Sequence, residues 1–303
     1  MKVTAIVLSY NSKDYISPCL EALVAQKTGS HTLDIVVVDN DSQDGSADFL
    51  AAKFPQVRLI RNPTNMGYAG GNNTGLLHAL DTGADFAWVI NPDVSVAPDS
   101  LASFITGATR RTNEGVFGGK IYFSPGQEFH QDRYSASQQG KVLWYAGGLM
   151  DWKNLIGSHR GVDEVDTGQY DRDLETDYVT GACMFIKRRV LDQVGLFDPK
   201  YFLYYEENDF CQRARRAGFK CMFLFSPSAW HKNAQATGIG SDLQDYFISR
   251  NRLIFGLRYA PTYTKFALIR ESATLYQTGR PWQKKGIVDF YAGRLGAGSY
   301  QAD

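Results

Sequence analysis

The run Val36-Val37-Val38-Asp39-Asn40-Asp41 decides how this chain of 303 residues is read. Three successive β-branched residues are stiff at χ1 and pack best on a pleat covered on both faces. The chain then turns polar within one step. The same switch occurs upstream, where the apolar run Val3 to Ser9 passes into Ser9-Tyr10-Asn11, and downstream, where Phe86 to Ile90 passes into Asn91-Pro92-Asp93. Between these runs lie helical patterns. Ile16, Leu20, Leu23 and Val24 carry helical spacing over 14–26, Ser46 to Lys53 follows Asp44 as a candidate N-cap, and Asn72 to Leu80 reads as a further helix. Val57 to Ile60 supplies one more strand.

Strands alternating with helices predict an α/β fold with a mostly parallel sheet and right-handed crossovers. Such sheets bind ligands beyond the carboxyl ends of their strands. Asn and Asp also favour turns, which accounts for any one polar cluster. Three clusters on one edge point to a site.

Bulk composition narrows the partners. With 32 basic and 32 acidic residues the chain has no cationic excess for nucleic acid. Cys19, Cys183, Cys211 and Cys221 form no C-x-x-C pair, so they read as reduced residues of a cytosolic protein. The apolar run after Met1-Lys2 is too short for a signal peptide, and no window suits a spanning helix.

Beyond residue 100 the pattern loosens. Ser124 to Gly168, with Trp144 and Trp152, suggests a lid or inserted hairpin. Met184 to Ile186 and Phe219 to Leu224 read as strands, and Arg188 to Val194 and Tyr205 to Ala217 as helices. From about Asp245 onward basic and aromatic residues interleave. That stretch is a packed helical extension, an oligomer contact, or a surface that reaches a lipid-linked acceptor at a membrane.

The polar clusters carry chemistry. Asp93, on a rigid Pro turn, suits a hard divalent cation, which takes few protein ligands and uses phosphate oxygens for the rest. Alone, Asn91-Pro92-Asp93 is turn chemistry. Asp39 can accept from a ribose or a base. The glycines of Asn65-Met66-Gly67-Tyr68-Ala69-Gly70-Gly71-Asn72-Asn73 open a helix whose amides can approach a diphosphate. In Tyr204-Tyr205-Glu206-Glu207-Asn208-Asp209-Phe210, aromatic walls can raise a carboxylate's pKa toward that of a general base. His231 follows a strand and the Ser226-Pro227 turn and is a candidate second metal ligand.

In order and spacing, these stretches, together with Thr180-Gly181-Ala182-Cys183-Met184 and Val194-Gly195-Leu196-Phe197-Asp198, resemble the family 2 inverting glycosyltransferases of the GT-A fold, rhamnosyltransferase-like branch. The resemblance spans roughly residues 3 to 260. It implies a catalytic domain over 1–240, with a nucleotide-binding half to about 100 and an acceptor half over 101–240, and a helical extension over 241–303. It implies that Ser9, Tyr10, Asn11, Asp39, Asn65, Gly70, Asn72, Asn91 and Asp93 bind the nucleotide sugar. Asp93 matches the last position of the family's D-x-D metal motif, whose first position here is Asn91. Asp93 and His231 then hold Mg²⁺ or Mn²⁺. Glu207 stands where the family has its base, usually Asp, with Glu206 second for that role. Trp144, Tyr178, Thr180 and Gly181 fall on the acceptor side.

The implied reaction is a single displacement with inversion, onto a saccharide or lipid-linked saccharide, in cell-surface polysaccharide or O-antigen synthesis. The branch favours a thymidine-diphosphate rhamnose donor and leaves uridine-diphosphate sugars open. It places the protein in the cytoplasm or peripherally on the inner face of the plasma membrane, with a homo-oligomer left open. A sugar-nucleotide nucleotidyltransferase and a non-catalytic carbohydrate-binding protein on the same fold are the alternatives. Ser9-Tyr10-Asn11-Ser12 lacks the Gly-rich basic loop of the first, and retention of Asp93, Glu207 and His231 argues against the second.

Overall fold

The computed structural model describes residues 1–232 and 240–300. The expected domain boundaries at 240 and 303 abut residues 233–239 and 301–303, which lie outside the described residues. The first half runs β1 (Lys2–Ser9), α1 (Ser17–Val24), β2 (Thr32–Asp39), α2 (Ser46–Lys53), β3 (Arg58–Arg61), α3 (Gly67–Asp81), β4 (Phe86–Ile90), β5 (Val94–Val96) and α4 (Ser100–Thr109). The second half runs β6 (Glu114–Phe123), a 3₁₀ turn at Gln131–Arg133, β7 (Leu143–Tyr145), β8 (Gly148–Asp151), β9 (Ile156–His159), β10 (Leu174–Thr176), β11 (Cys183–Lys187), α5 (Arg188–Val194), α6 (Glu206–Arg216) and β12 (Lys220–His231). Three helices follow, α7 (Asp242–Tyr259), α8 (Thr262–Thr278) and α9 (Pro281–Tyr291).

The main sheet has the order β10-β12-β6-β11-β4-β1-β2-β3, with β5 against β12 and β7 against β6. Its N-terminal half, β4-β1-β2-β3, is wholly parallel. β11 enters antiparallel to β4 and β6, which makes the whole sheet mixed. Both faces are covered, as the unbroken apolar runs require. Val3, Ala5 and Val7 pack with α1 and α4 on one face, and Ile6, Val36 and Val38 pack with α3 on the other.

Helix α3 begins five residues before the expected Asn72. Its glycines, poor helix formers by propensity, are selected by packing. A Cβ on Gly71 would stand 2.4 Å from a Leu8 methyl carbon, and one on Gly75 2.3 Å from Ile6. The two glycines lie four apart on the face that meets β1. Gly75→Val therefore overfills this contact and lowers stability by about 1–3 kcal/mol, read as a lower urea midpoint with an unchanged slope.

Two further details differ from expectation, and the inserted hairpin is found. α2 is preceded by Gly45 in the left-handed region, and Asp44 accepts from the Ser46 amide at 2.9 Å two residues on, so Asp44 shapes the turn rather than capping the helix. Ser226-Pro227 is no turn, because β12 continues through it to His231 with a register shift between Phe223 and Ser228. Pro is tolerated there because the shift removes the need for its amide. The stretch 124–168 is a β-rich insert in which β8 and β9 form a hairpin. Trp152 stacks on Phe255 of α7 at 5.9 Å, tying that hairpin to the C-terminal helices.

Candidate active site

Strand register assembles the site. Ser9 pairs with Asp39, so β1 and β2 end together. β4 ends at Ile90, opposite Val7, and the next residue, Asn91, donates its amide to the Ala182 carbonyl at 3.0 Å, bringing the start of β11 to the same edge. β12 returns antiparallel to β5 with His231 opposite Val94, next to Asp93.

At the β1–β2 end the loops lock each other. The Asn11 side-chain oxygen accepts from the Gln43 amide at 2.8 Å, and the Asn11 amide donates to Ser42 Oγ at 3.0 Å. Ser9 and Ser12 hydroxyls bond each other at 2.7 Å. Ser9 and Asn11 are thus spent as scaffold, whereas Tyr10 remains exposed. Asp39 is buried, with Oδ2 accepting from the Ser42 amide at 3.3 Å, and its Oδ1 has no partner. A buried acceptor without a donor costs free energy unless a ligand supplies one.

Asn65, Gly70 and Asn72 depart from the expected phosphate loop. The Gly67 amide is taken by Asn65 Oδ1 at 2.9 Å, and the Ala69 amide by the Phe202 carbonyl at 3.1 Å. A Cβ on Gly70 would stand 2.8 Å from the Met66 Cβ. These positions close the fold, with Asn40 as the latch. Asn40 Oδ1 accepts from Asn62 and from the Met66 amide, and its Nδ2 donates to Asn65 Oδ1 at 2.8 Å. Asn72 is fully buried with its side-chain oxygen unpartnered.

Asp93 and His231 meet as expected, with Asp93 Oδ2 3.1 Å from His231 Nε2 and both side chains nearly buried. His231 Nδ1 is buried without a partner. Trp144 stands edge-on to His231 at 4.5 Å, which puts it on the wall of this pair. His159, which the sequence reading missed, flanks the other side of Trp144 at 4.3 Å. A carbonyl can only accept, so the His159 Nδ1–H donates to the Trp144 carbonyl at 3.0 Å. Burial lowers the His159 pKa to about 4, which keeps the ring neutral. Tyr15 was also missed; its hydroxyl is pushed up to about 12, first by burial and then by the Asp93 and Asp44 charges.

The third carboxylate cluster divides by role. Asp209 is fully buried and bonded by Arg213 at 2.7 Å, Arg258 at 2.9 Å, Tyr259 at 2.7 Å and Tyr201 at 3.3 Å. It joins α6 to α7. Glu206 and Glu207, by contrast, each bury an Oε2 that has no partner. Burial first, and then the Glu207 charge, holds Glu206 well above the carboxylate range. Burial raises Glu207 as well, opposed by its own backbone amide and then by a hydrogen bond from Glu206. The Tyr68 hydroxyl, which donates to the Gly181 carbonyl at 2.7 Å, lies among these groups. Burial raises its pKa most, followed by the Glu206, Glu207 and Asp93 charges.

The turn that delivers this pair is strained. Phe202, Tyr204 and Tyr205 all have φ between +65° and +72°, and none is glycine. Such residues persist only where their surroundings over-determine them. Asn251 of α7 does this: its amide donates to the carbonyls of Tyr201, Leu203 and Tyr204 at 2.7–2.9 Å. Arg250, fully buried, adds a bond to the Tyr201 carbonyl at 3.0 Å. Neither residue was legible as a site element, since both sit in an ordinary basic helix far along the chain.

Three acceptor-side expectations need correction. Tyr178 is 3% exposed and its hydroxyl donates to the Ser158 carbonyl, so its ring braces the β8–β9 hairpin and offers no face to a sugar. Thr180 is buried and accepts from the Ala182 amide at 3.3 Å. At Gly181 a Cβ would meet the Tyr68 hydroxyl at 2.5 Å, so the glycine admits that ring.

With this geometry in view, residues 4–195 match glycosyl transferase family 2. The chain belongs to that family. It is similar to the N-acetylglucosaminyl-diphospho-decaprenol L-rhamnosyltransferase of Mycobacterium tuberculosis, 28% identical over 67% of this chain and 68% of that one. It is also similar to a low-salt glycan biosynthesis hexosyltransferase of Haloferax volcanii, 26% identical over 83% of this chain and 74% of that one. Among solved structures, the Pyrobaculum calidifontis mannosyltransferase in complex with GDP-Man and Mn²⁺ aligns with a TM-score of 0.56 at 17% identity, covering 99% of this chain and 76% of that one. S. aureus TarS 1–349 with UDP-GlcNAc aligns at 0.58 and 14% identity, over 96% and 79%. The fold of this family 2 glycosyltransferase is therefore GT-A, with C-terminal helices added.

Proposed function

We propose that this family 2 glycosyltransferase moves a sugar from a nucleoside-diphosphate donor to a hydroxyl of a saccharide or lipid-linked saccharide, with inversion. The unpartnered Oε2 atoms of buried Glu206 and half-buried Glu207, side by side at the start of α6, carry this reading. The acceptor oxygen bonds to the anomeric carbon as the carbon–oxygen bond to the diphosphate breaks. Glu207 takes the acceptor's proton, and the diphosphate leaves with the bonding pair. Glu206 stays protonated and keeps a second negative charge out of the pocket. Asp39 Oδ1 accepts from the nucleoside, beneath Tyr10.

The residues present fit a divalent cation. Asp93 and His231 offer one oxygen and one nitrogen donor 3.1 Å apart. Among the described residues no group of three or more His, Cys, Asp or Glu side chains could hold a metal ion, so phosphate oxygens and water complete the coordination. The imidazole favours Mn²⁺ over Mg²⁺. A cation held there supplies positive charge to the departing diphosphate.

The relative named for L-rhamnosyl transfer favours thymidine-diphosphate rhamnose as donor, with uridine-diphosphate sugars as the second choice. A role in cell-surface polysaccharide synthesis follows the same relatives. Four buried free cysteines fit a reducing cytoplasm. Residues 1–240 form the catalytic unit and 241–303 the extension.

A donor panel assayed for released nucleoside diphosphate tests the reading. One nucleotide sugar is expected to be turned over, with Mn²⁺ stimulating more than Mg²⁺. His231→Ala should weaken Mn²⁺ activation about 10–100-fold, measured as the metal concentration giving half-maximal rate. Calorimetry that detects no binding of any nucleotide sugar would sink the proposal.

A further inference from the structure

We propose that α8 and α9 form a docking surface for an anionic lipid bilayer. Tyr263, Phe266, Ile269 and Tyr276 of α8 are 63%, 70%, 45% and 56% exposed. They lie three, three and seven residues apart, which makes one stripe of the helix. The opposite face, Thr264, Leu268 and Ser272, is buried against the rest of the chain. On that buried face the Ser272 hydroxyl meets the Tyr291 hydroxyl at 2.8 Å, which ties α8 to α9, whose Val288 and Tyr291 are also exposed.

Charge decides what covers this face. The acidic residues of α8 and α9 are engaged, Glu271 by Arg252 at 2.8 Å and Asp289 by the Tyr246 hydroxyl at 2.6 Å. Lys265, Arg270, Lys284 and Lys285 make no side-chain ion pair among the described residues. On the helical wheel Lys265 and Arg270 fall near the two margins of the α8 stripe. An apolar stripe containing tyrosines and rimmed by long cationic side chains matches the boundary between acyl chains and anionic headgroups. A second copy seated on the same patch would oppose these cations to themselves, with no free carboxylate to answer them. No helix among the described residues is long and apolar enough to cross a membrane, so the contact is one of surface docking.

The opposite, buried side of α8 is linked to the site through the β8–β9 hairpin. Thr264 at its root donates to the Trp152 carbonyl at 3.2 Å. From the same hairpin the Leu155 carbonyl accepts from the Tyr205 hydroxyl at 3.0 Å, one residue before Glu206. The surface deepens the lipid-linked form of the proposed acceptor, yet vesicle binding is measured without any turnover, so failure of one leaves the other standing.

The test is sedimentation of the full chain with phosphatidylcholine vesicles and with mixed phosphatidylglycerol–phosphatidylcholine vesicles. Binding to the mixed vesicles is expected to be about ten-fold or more stronger at low salt and to weaken as salt rises. Phe266→Ser with Ile269→Ser, and separately Lys265→Glu with Arg270→Glu, should each reduce it about ten-fold. All four side chains lie away from the site, so thermal melts and donor turnover with a soluble acceptor should be unchanged. Three results would overturn the proposal: equal binding to both vesicles, variants that bind like the parent, or a dimer by light scattering that the Phe266/Ile269 variant splits.

Discussion

Glu207→Gln should lower the rate of glycosyl transfer roughly 10²–10⁴-fold, the usual worth of a positioned base, with donor affinity nearly unchanged. Steady-state kcat with calorimetric donor Kd separates the two. The substitution keeps shape and hydrogen bonding while removing the proton acceptor. Its stability consequence has a definite sign. Burial raises both Glu206 and Glu207 above the carboxylate range, so each favours the folded state when protonated, and that stability is lost as pH rises through the folded pKa. Glu207→Gln removes a carboxylate that burial makes costly to ionise, and the variant is expected to melt at the parent's temperature or above it. A dead but stable variant excludes misfolding as the cause. In the parent, activity should fall as pH drops, on an acid limb above the ordinary carboxylate range, because Glu207 must be ionised to accept a proton. A variant retaining more than a tenth of the rate would remove Glu207 from the base role, and Glu206→Gln would then be the next substitution.

Asn251→Ala should destabilise the fold by about 3 kcal/mol and lower kcat in parallel. The residue donates to three carbonyls in the turn that holds Phe202, Tyr204 and Tyr205 left-handed. The Tyr201 carbonyl keeps its bond from Arg250, but removing the donor strips the half-buried Leu203 and Tyr204 carbonyls of theirs, at about 1–3 kcal/mol for the set, and frees the turn to relax its strained dihedrals. Relaxation moves the first turn of α6, and with it the Glu206/Glu207 pair. The readout that separates positioning from plain instability is the pH profile at a temperature where the variant is folded. If the pair has shifted toward solvent, the acid limb moves down toward the ordinary carboxylate range. An unchanged limb, with the rate loss explained by unfolded fraction alone, would make Asn251 a purely structural residue.

Much of this molecule is written locally. The apolar runs at Val3, Val36 and Phe86 each form a strand because β-branched and aromatic residues leave few other conformations that bury them. Their polar ends share one edge because parallel strands joined by right-handed crossovers must point the same way. Asp39, Asp93, His231 and Glu207 were therefore legible as site candidates. Local pattern misled where a residue's partner is distant. The glycines at 67–75 read as a phosphate loop, yet Leu8 and Ile6 select Gly71 and Gly75 and Phe202 abuts Gly67. Tyr178 read as a sugar platform, but Ser158 from a hairpin twenty residues upstream claims its hydroxyl. His159, Tyr15 and Asn251 carried no spacing signal at all. Sequence alone determined the alternation of elements and the chemistry at the strand ends, since both depend on side chains a few residues apart. Which carboxylate is free and which is spent as a brace was decided by the tertiary structure, because burial and hydrogen-bond satisfaction are set by residues up to about a hundred positions away.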